Sequence, residues 1–216
     1  MVSAAQSDKL AKRDEVIAEC EAVVAKFDEY TDATYQSDKY DLFVRQSSYK
    51  GSPLTVTKAK LPGFTFDHHK NFRDNIAEKV ALMNSEVKYT ELEVIDGGRV
   101  MHQRIKMPFP MSGRSMMNIL HWKENEDGSG VFLNTSQGNE DMCEKYKKNI
   151  GKDVIGSNWF NYTHLKPYDG GMEFTMATCF DPNGSIPTML KNQAAGRLLR
   201  NGEKMVHLML TGEVLK

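Results

Sequence analysis

The stretch Asp181-Pro182-Asn183-Gly184-Ser185-Ile186-Pro187, running into Met189-Leu190-Lys191-Asn192-Gln193, is where strand-like sequence gives way to helix-like sequence. Before it, residues 172–180 read as a strand, entered through the turn Asp169-Gly170-Gly171. After it, Ile186, Leu190, Ala194 and Leu198 recur at helical spacing, and Met205, Val206, Met209 and Leu210 extend the stripe. The spacing predicts a long helix over about 187–210. Asn201-Gly202 interrupts it and predicts a kink or break there.

Working back from this junction, the chain is dominated by strands. Residues 99–107, 115–124, 130–136 and 159–166 are strand-like, and the turn Glu126-Asp127-Gly128 makes the second and third a hairpin. Residues 139–149 between the last two are charged and read as a loop or a short helix. Earlier come strands over 42–49 and 54–61, a helix over 67–84 with Phe72, Ile76, Val80 and Met83 on one face, and a strand over 87–95. Residues 31–37 are polar and read as a turn.

The first segment, residues 7–30, has Leu10, Ile17, Val24 and Phe27 at helical spacing, with Val16, Cys20 and Val23 widening the stripe. A helix, a run of antiparallel strands over about 40–180, then a terminal helix is an α+β order, not a βαβ series. At 216 residues this is one domain spanning 1–216.

Composition narrows the function classes. The 28 Lys+Arg nearly cancel the 29 Asp+Glu, so no global basic field exists to hold a nucleic acid. Cys20, Cys143 and Cys179 are scattered without metal-ligand spacing, which predicts neither a metal site nor a disulfide framework. Residues 1–12 are polar, without the apolar stretch of a signal peptide, and no apolar run spans a bilayer. The reading is a reduced, cytoplasmic globular protein, monomeric and without a cofactor.

Two blocks carry a family resemblance. The segment Asp181 to Pro187 with its Asn192-Gln193 continuation resembles the junction of last strand and final helix in START (StAR-related lipid-transfer) domains. Pro108-Phe109-Pro110, Gly113-Arg114-Ser115-Met116-Met117 and then Trp122 are similar to the loop and strand that carry an Arg-Asp-apolar-apolar motif in that family. Here Ser115 replaces the Asp. The resemblance implies a helix-grip fold, in which a curved antiparallel sheet wraps a C-terminal helix around a lipid-sized cavity. It also implies a non-enzymatic role in binding or transferring lipids. Some sterol-binding members carry an acidic residue and an arginine in the cavity; those positions fall near Met101 and Leu120, both apolar. Acyl-chain lipids are therefore expected to bind at least as well as sterols.

Strand alternation supplies a candidate lining. Met101, Gln103 and Ile105 share one face of their strand, and Asn118, Leu120 and Trp122 share one of the next; Leu133, Met176, Leu190 and Ala194 complete the set. Methionine moulds to irregular ligands, and the 13 methionines include Met101, Met107, Met111, Met116, Met117, Met172, Met176 and Met189 in these segments; any one of them is equally an ordinary core filler. Gln103 and Asn118 are candidate headgroup anchors, or else partners of local backbone. Arg114 meets a phosphate or pins the loop, and isolated arginines more often serve the second end. Phe109 and Met111 sit on a proline-bracketed loop that cannot enter the sheet, and they either touch a membrane or cap the core.

Enzymatic readings find less support. His68-His69 are adjacent and point apart, and no GxSxG, P-loop, GxGxxG or HExxH occurs. A Ser/His/Asp or Cys/His site assembled from distant segments stays open, as does an enzyme on a related helix-grip scaffold, cyclase- or hydrolase-like, acting on a small hydrophobic substrate. A ligand-sensing module acting through a partner protein is the third reading.

Overall fold

The computed structural model describes residues 4–215, with side chains described over 12–215 except those of Thr188, Lys191 and Asn192. The predicted roles of Leu10 in the first stripe and of Lys191 and Asn192 in the junction lie outside the described side chains. Ten strands form one sheet: β1 (Ala33–Gln36), β2 (Asp41–Tyr49), β3 (Ser52–Pro62), β4 (Val87–Ile95), β5 (Gly98–Ile105), β6 (Arg114–Glu124), β7 (Gly130–Thr135), β8 (Val154–Ile155), β9 (Ser157–Tyr168) and β10 (Gly171–Asp181). Their spatial order is β1-β2-β3-β10-β9-β7-β6-β5-β4, antiparallel throughout, with β8 alone pairing parallel to β6. The helices are α1 (Ala4–Ala25), α2 (Phe66–Asp74), α3 (Ile76–Met83), α4 (Glu140–Lys145), α5 (Lys147–Ile150), α6 (Thr188–Leu199) and α7 (Asn201–Thr211).

Both faces of the sheet are covered. On the outer face α1 lays Val16, Cys20 and Val23, continued by Phe27 in a short 3-10 turn, over Leu54, Val56, Leu133, Phe160, Tyr162, Ala177 and Cys179. The buried line of α1 therefore runs through Val16, Cys20 and Val23, while Ile17 and Val24 flank it half-buried. Helices α4 and α5 cover Val100, Met117 and Ile119 further along this face. On the inner face, Leu42, Val44, Leu61, Met101, Leu120, Phe132, Phe174 and Met176 meet Phe72 of α2, Ile76 of α3 and Met205, Val206, Leu208 and Met209 of α7. Each such side chain, withdrawn fully from water, stabilises the fold by about 1.5–3 kcal/mol. The chain is a helix-grip α+β fold: a sheet closed on its inner side by the C-terminal helical segment.

Two expectations need correction. Residues 31–37 contain the edge strand β1, whose Ala33 and Tyr35 are half-buried and whose Thr34 and Gln36 are exposed. A short edge strand covered on one side has too few apolar residues to reveal itself. The helix over 67–84 is two helices parted at Asn75, which leaves the helical conformation (φ −113, ψ 28) while its Nδ2 donates to the Asn71 carbonyl. The break predicted at Asn201-Gly202 is present: the C-terminal segment is two helices, α6 and α7, meeting at Arg200, one residue before that pair.

Candidate ligand cavity and its mouth

On the inner face Met101 and Leu120 are 2% and 0% exposed and lie in the apolar cluster, as does Met176. Asn118 is fully buried, and its Nδ2 donates to Gln103 Oε1 at 2.8 Å. The two predicted polar anchors thus meet each other across β5 and β6, not local backbone. Trp122 is half-buried at the far end, beneath the guanidinium groups of Arg73 and Arg99 at 4.7 and 5.5 Å from its ring. Ile105 is half-buried at the end of β5, opposite Arg114.

Sequence reasoning missed two members of this site. Asn134 is fully buried, and its Nδ2 donates to the Tyr89 hydroxyl at 3.0 Å. In the ladder Tyr89 stands opposite Gln103, Met101 opposite Asn118, and Leu120 opposite Asn134. One phenol and three amides from the adjacent strands β4, β5, β6 and β7 therefore converge. Strand alternation would have found Asn134 had its neighbours alternated. Instead Val131-Phe132-Leu133 is apolar throughout, because both faces of β7 are covered. The same run misplaces Leu133, which lies on the outer face beneath α1 and not in the cavity.

Under α6 the inner face turns polar. Gln46 Nε2 donates to Thr55 Oγ1 at 3.2 Å and to the Ala195 carbonyl of α6 at 2.8 Å. Thr178 and, against Gly202 at the start of α7, Thr57 are buried with hydroxyls that find no partner among the described residues. Helix α7 buries Gly202, Glu203, Met205, Val206, Leu208 and Met209, and Glu203 accepts hydrogen bonds from Tyr35 (2.6 Å) and Ser37 (2.5 Å). No described side chain of α6 is buried. Ala194, expected in the lining, is exposed, because the side of α6 that carries it faces away from the sheet.

Leu190 lies at the mouth instead. It is half-buried and lines an open cleft of about 960 Å³ together with Pro108, Phe109, Pro110, Met111, Ile186, Pro187 and Met189. Phe109 is 96% exposed and Met189 66%, so the two lips present bare apolar tips, while Met111 in the same cleft is half-buried.

The lips are tied at their root. Arg114, 2% exposed, donates through Nε to the Asn183 carbonyl at 3.2 Å and through Nη1 to the Ser112 carbonyl at 2.5 Å. These bonds to backbone make Arg114 a clasp between the proline loop and the Asp181–Gly184 turn. Asn183 adopts φ 52 and Gly184 φ 66, conformations that Asn and Gly tolerate, and Asn183 N–H donates to Asp181 Oδ1 at 2.7 Å.

On the outer face the fold assembles a Ser/His/Asp group from distant segments. Ser115 Oγ lies 2.9 Å from His102 Nε2 and donates to Asp153 Oδ2 at 2.9 Å. Arg104 grips the same carboxylate at 2.6 and 3.1 Å. A nucleophilic triad needs the carboxylate to orient the histidine and the serine to be reachable. Here the carboxylate binds the serine, and Ser115 is 0% exposed. Burial lowers the His102 pKa, and the Arg104 hydrogen bond lowers that of Asp153. The group ties β5 and β6 to the segment before β8. His69 is pushed down to about 4 by burial against Phe132, so it stays neutral, while His68 bonds Thr65 at the start of α2. Among the described residues no group of His, Cys, Asp or Glu is arranged to hold a metal, and no described helix is long and apolar enough to cross a membrane.

The same architecture recurs in solved structures. A StAR-related lipid-transfer protein fragment from Xanthomonas axonopodis superposes with TM-score 0.62 at 16% identity, over 83% of this chain and 98% of that one. Human StAR-related lipid transfer protein 5 superposes with TM-score 0.61 at 13% identity, over 93% and 98%. No protein-family model matches the sequence, and no curated protein is similar to it. The fold is that of the START domains.

Proposed function

We propose that the chain is a single START-like domain that holds a lipid-like ligand on the inner face of its sheet and transfers or senses it at membranes. The carrying observation is the contrast between the two halves of the C-terminal helical segment. Helix α7 is packed into the apolar core, whereas α6 lies over a polar-lined stretch of sheet with no described side chain buried. A helix placed over a sheet but not packed into it leaves room for a third party. The lipid-transfer proteins that share the fold support the same reading.

The mouth is suited to exchange. Moving an acyl chain through water costs ~0.8 kcal/mol per CH₂, or roughly 12 kcal/mol for a chain of 16 carbons, and docking on a bilayer avoids most of that barrier. Phe109 and Met189 offer apolar tips for such docking, and the break at Arg200 lets α6 swing while Glu203 keeps α7 in place. The ligand is a phospholipid, another fatty-acyl lipid or a sterol. Met101 and Leu120 leave the sheet centre without a charged pair, which favours acyl-chain lipids at least as much as sterols. Contact with the membrane is transient and peripheral, and the domain acts as a cytoplasmic monomer; its cysteines are free thiols, in keeping with a reducing compartment.

Solvent extraction of the purified protein followed by mass spectrometry tests the carrier, and vesicle-to-vesicle transfer tests its action. Stoichiometric lipid and accelerated transfer are expected. Protein that stays empty after incubation with phospholipid, fatty acid and sterol vesicles would defeat the reading. Tight sterol capture without any acyl lipid would defeat the stated preference.

A further inference from the structure

The two-residue turn that joins β2 to β3 breaks a local rule. Lys50 adopts φ 50 and Gly51 φ 77, a left-handed pair for which hairpins use Asn or Asp followed by Gly. Among the described non-glycine residues only Asn183 shares a positive φ with Lys50. The turn carries the Lys50 ammonium over two aromatic rings, 4.9 Å from the centre of Tyr49 and 5.0 Å from that of Trp159, and to 3.5 Å from the Glu19 carboxylate of α1. The walls are braced from behind. Tyr49 donates its O–H to Glu19 Oε2 at 2.8 Å and meets Phe160 edge-on, while Trp159 Nε1 donates to Ser52 Oγ at 3.4 Å. Two rings and a carboxylate around an ammonium are the parts of a cage for an organic cation. It opens to solvent, with the Lys50 side chain 42% exposed and that of Glu19 36%. Tyr49 and Trp159 pack beside the cluster under α1, on the opposite face of the sheet from the cavity.

We propose that this cage receives the choline group of a phosphatidylcholine headgroup at the bilayer surface, displacing Lys50 as its plug. The exchange favours choline. A primary ammonium is strongly hydrated and gives up water to enter the cage, whereas a quaternary ammonium is weakly hydrated and lays its methyl groups on the rings. Once displaced, Lys50 stays at the rim on its flexible stem, where the headgroup phosphate lies, so a zwitterion finds a partner for each charge. Position selects a bilayer as the source. At this end of the sheet β2 ends, β3 and β9 begin, and β10 runs out through Asp181 into the turn that leads to the mouth. The cage thus lies toward the end of the molecule that bears Phe109 and Met189. The choice of a bilayer rests on the mouth docking there; the cage itself does not.

The test uses the whole chain. NMR follows the Trp159 indole N–H as phosphocholine, phosphoethanolamine, inorganic phosphate, tetramethylammonium or a trimethyllysine peptide is added, and sedimentation measures binding to phosphatidylcholine vesicles. Phosphocholine should shift the resonance saturably and bind about tenfold tighter than phosphoethanolamine or phosphate. Lys50→Gly, which suits φ 50, removes the plug and the phosphate partner together. It should tighten tetramethylammonium binding and shrink the preference for phosphocholine over it. Glu19→Gln should weaken both ligands and vesicle binding severalfold. Equal binding of phosphoethanolamine, no shift with any ligand, or a Lys50→Gly variant that changes stability but no affinity overturns the cage and leaves Lys50 a clasp between the turn and α1. Tighter binding of the trimethyllysine peptide, or vesicle binding unchanged by Glu19→Gln, overturns the bilayer headgroup as the occupant. None of these readouts involves the cavity, so they stand or fall apart from the carrier reading.

Discussion

At the start of α7, Gly202 lies so close to β3 that a Cβ built on it would stand 2.5 Å from Thr57 Oγ1 and 2.9 Å from Thr57 Cγ2. The glycine that interrupts the helical pattern is thus a point of close approach between helix and sheet. Its smallness, more than its flexibility, is what the fold uses. Thr57 is β-branched and held in the middle of a strand, so it has little freedom to yield.

Gly202→Ala should therefore destabilise the protein by about 1–3 kcal/mol, the usual cost of overpacking, although alanine is the better helix former by up to about 1 kcal/mol. Denaturant unfolding measures the outcome. An unchanged or raised midpoint would show that α7 can shift away from β3 without loss.

Leu120 is 0% exposed and sits at the centre of the inner face, opposite Asn134. Leu120→Arg puts a charge into this apolar cluster, and should cost about 3–5 kcal/mol and abolish lipid capture. Wild-type stability with normal capture would mean that this position does not border the ligand.

Phe109 stands 96% exposed on the lip of the cleft. Phe109→Asp creates no core cavity, so unfolding free energy should change by no more than about 0.5 kcal/mol. Transfer between vesicles should nevertheless slow several-fold, because the charged tip resists entry into the bilayer. Transfer at the wild-type rate would remove the loop from the mechanism, and a large fall in melting temperature would show that Phe109 belongs to the core.

Asp153 is bound by Arg104 through two nitrogens and by Ser115. The Arg104 hydrogen bond lowers its pKa, so its stabilising effect is fully present above the ordinary carboxylate value and is lost as pH falls through the lower folded value. Because Arg104 is largely exposed, Asp153→Asn should cost only about 1–2 kcal/mol at pH 7. The two proteins should converge in stability below about pH 4, in the range where a carboxylate protonates. A gap that persists undiminished into acid would show that the charge of Asp153 is not what holds the segment.

Much of the architecture was written in local pattern. Residues 87–95, 114–124 and 171–181 alternate or carry turn residues at their ends, and their strands form within a residue or two of where the pattern puts them. The Asp181–Pro187 junction and the Asn201-Gly202 interruption placed the final helical segment and its break, because Pro, Gly and Asn act on the backbone wherever they stand. That Met101 and Gln103 share a face was likewise legible, since His102 and Arg104, which alternate with them, differ in polarity.

What only the tertiary structure decided was which groups meet. The phase of Val131-Phe132-Leu133 could not be read, because a strand buried on both faces shows no alternation, and so Asn134 went unnoticed and Leu133 was assigned to the wrong face. Ala194 keeps helical spacing with Leu190 and Leu198 yet faces solvent, because periodicity gives the face of a helix but not the depth at which α6 rests on the sheet. The bonds of Asn134 to Tyr89, Arg114 to Asn183 and Glu203 to Tyr35 join residues 45, 69 and 168 positions apart. Local sequence chooses backbone conformation within a few residues. Contacts of that span are set only when the sheet closes and brings its strands into register.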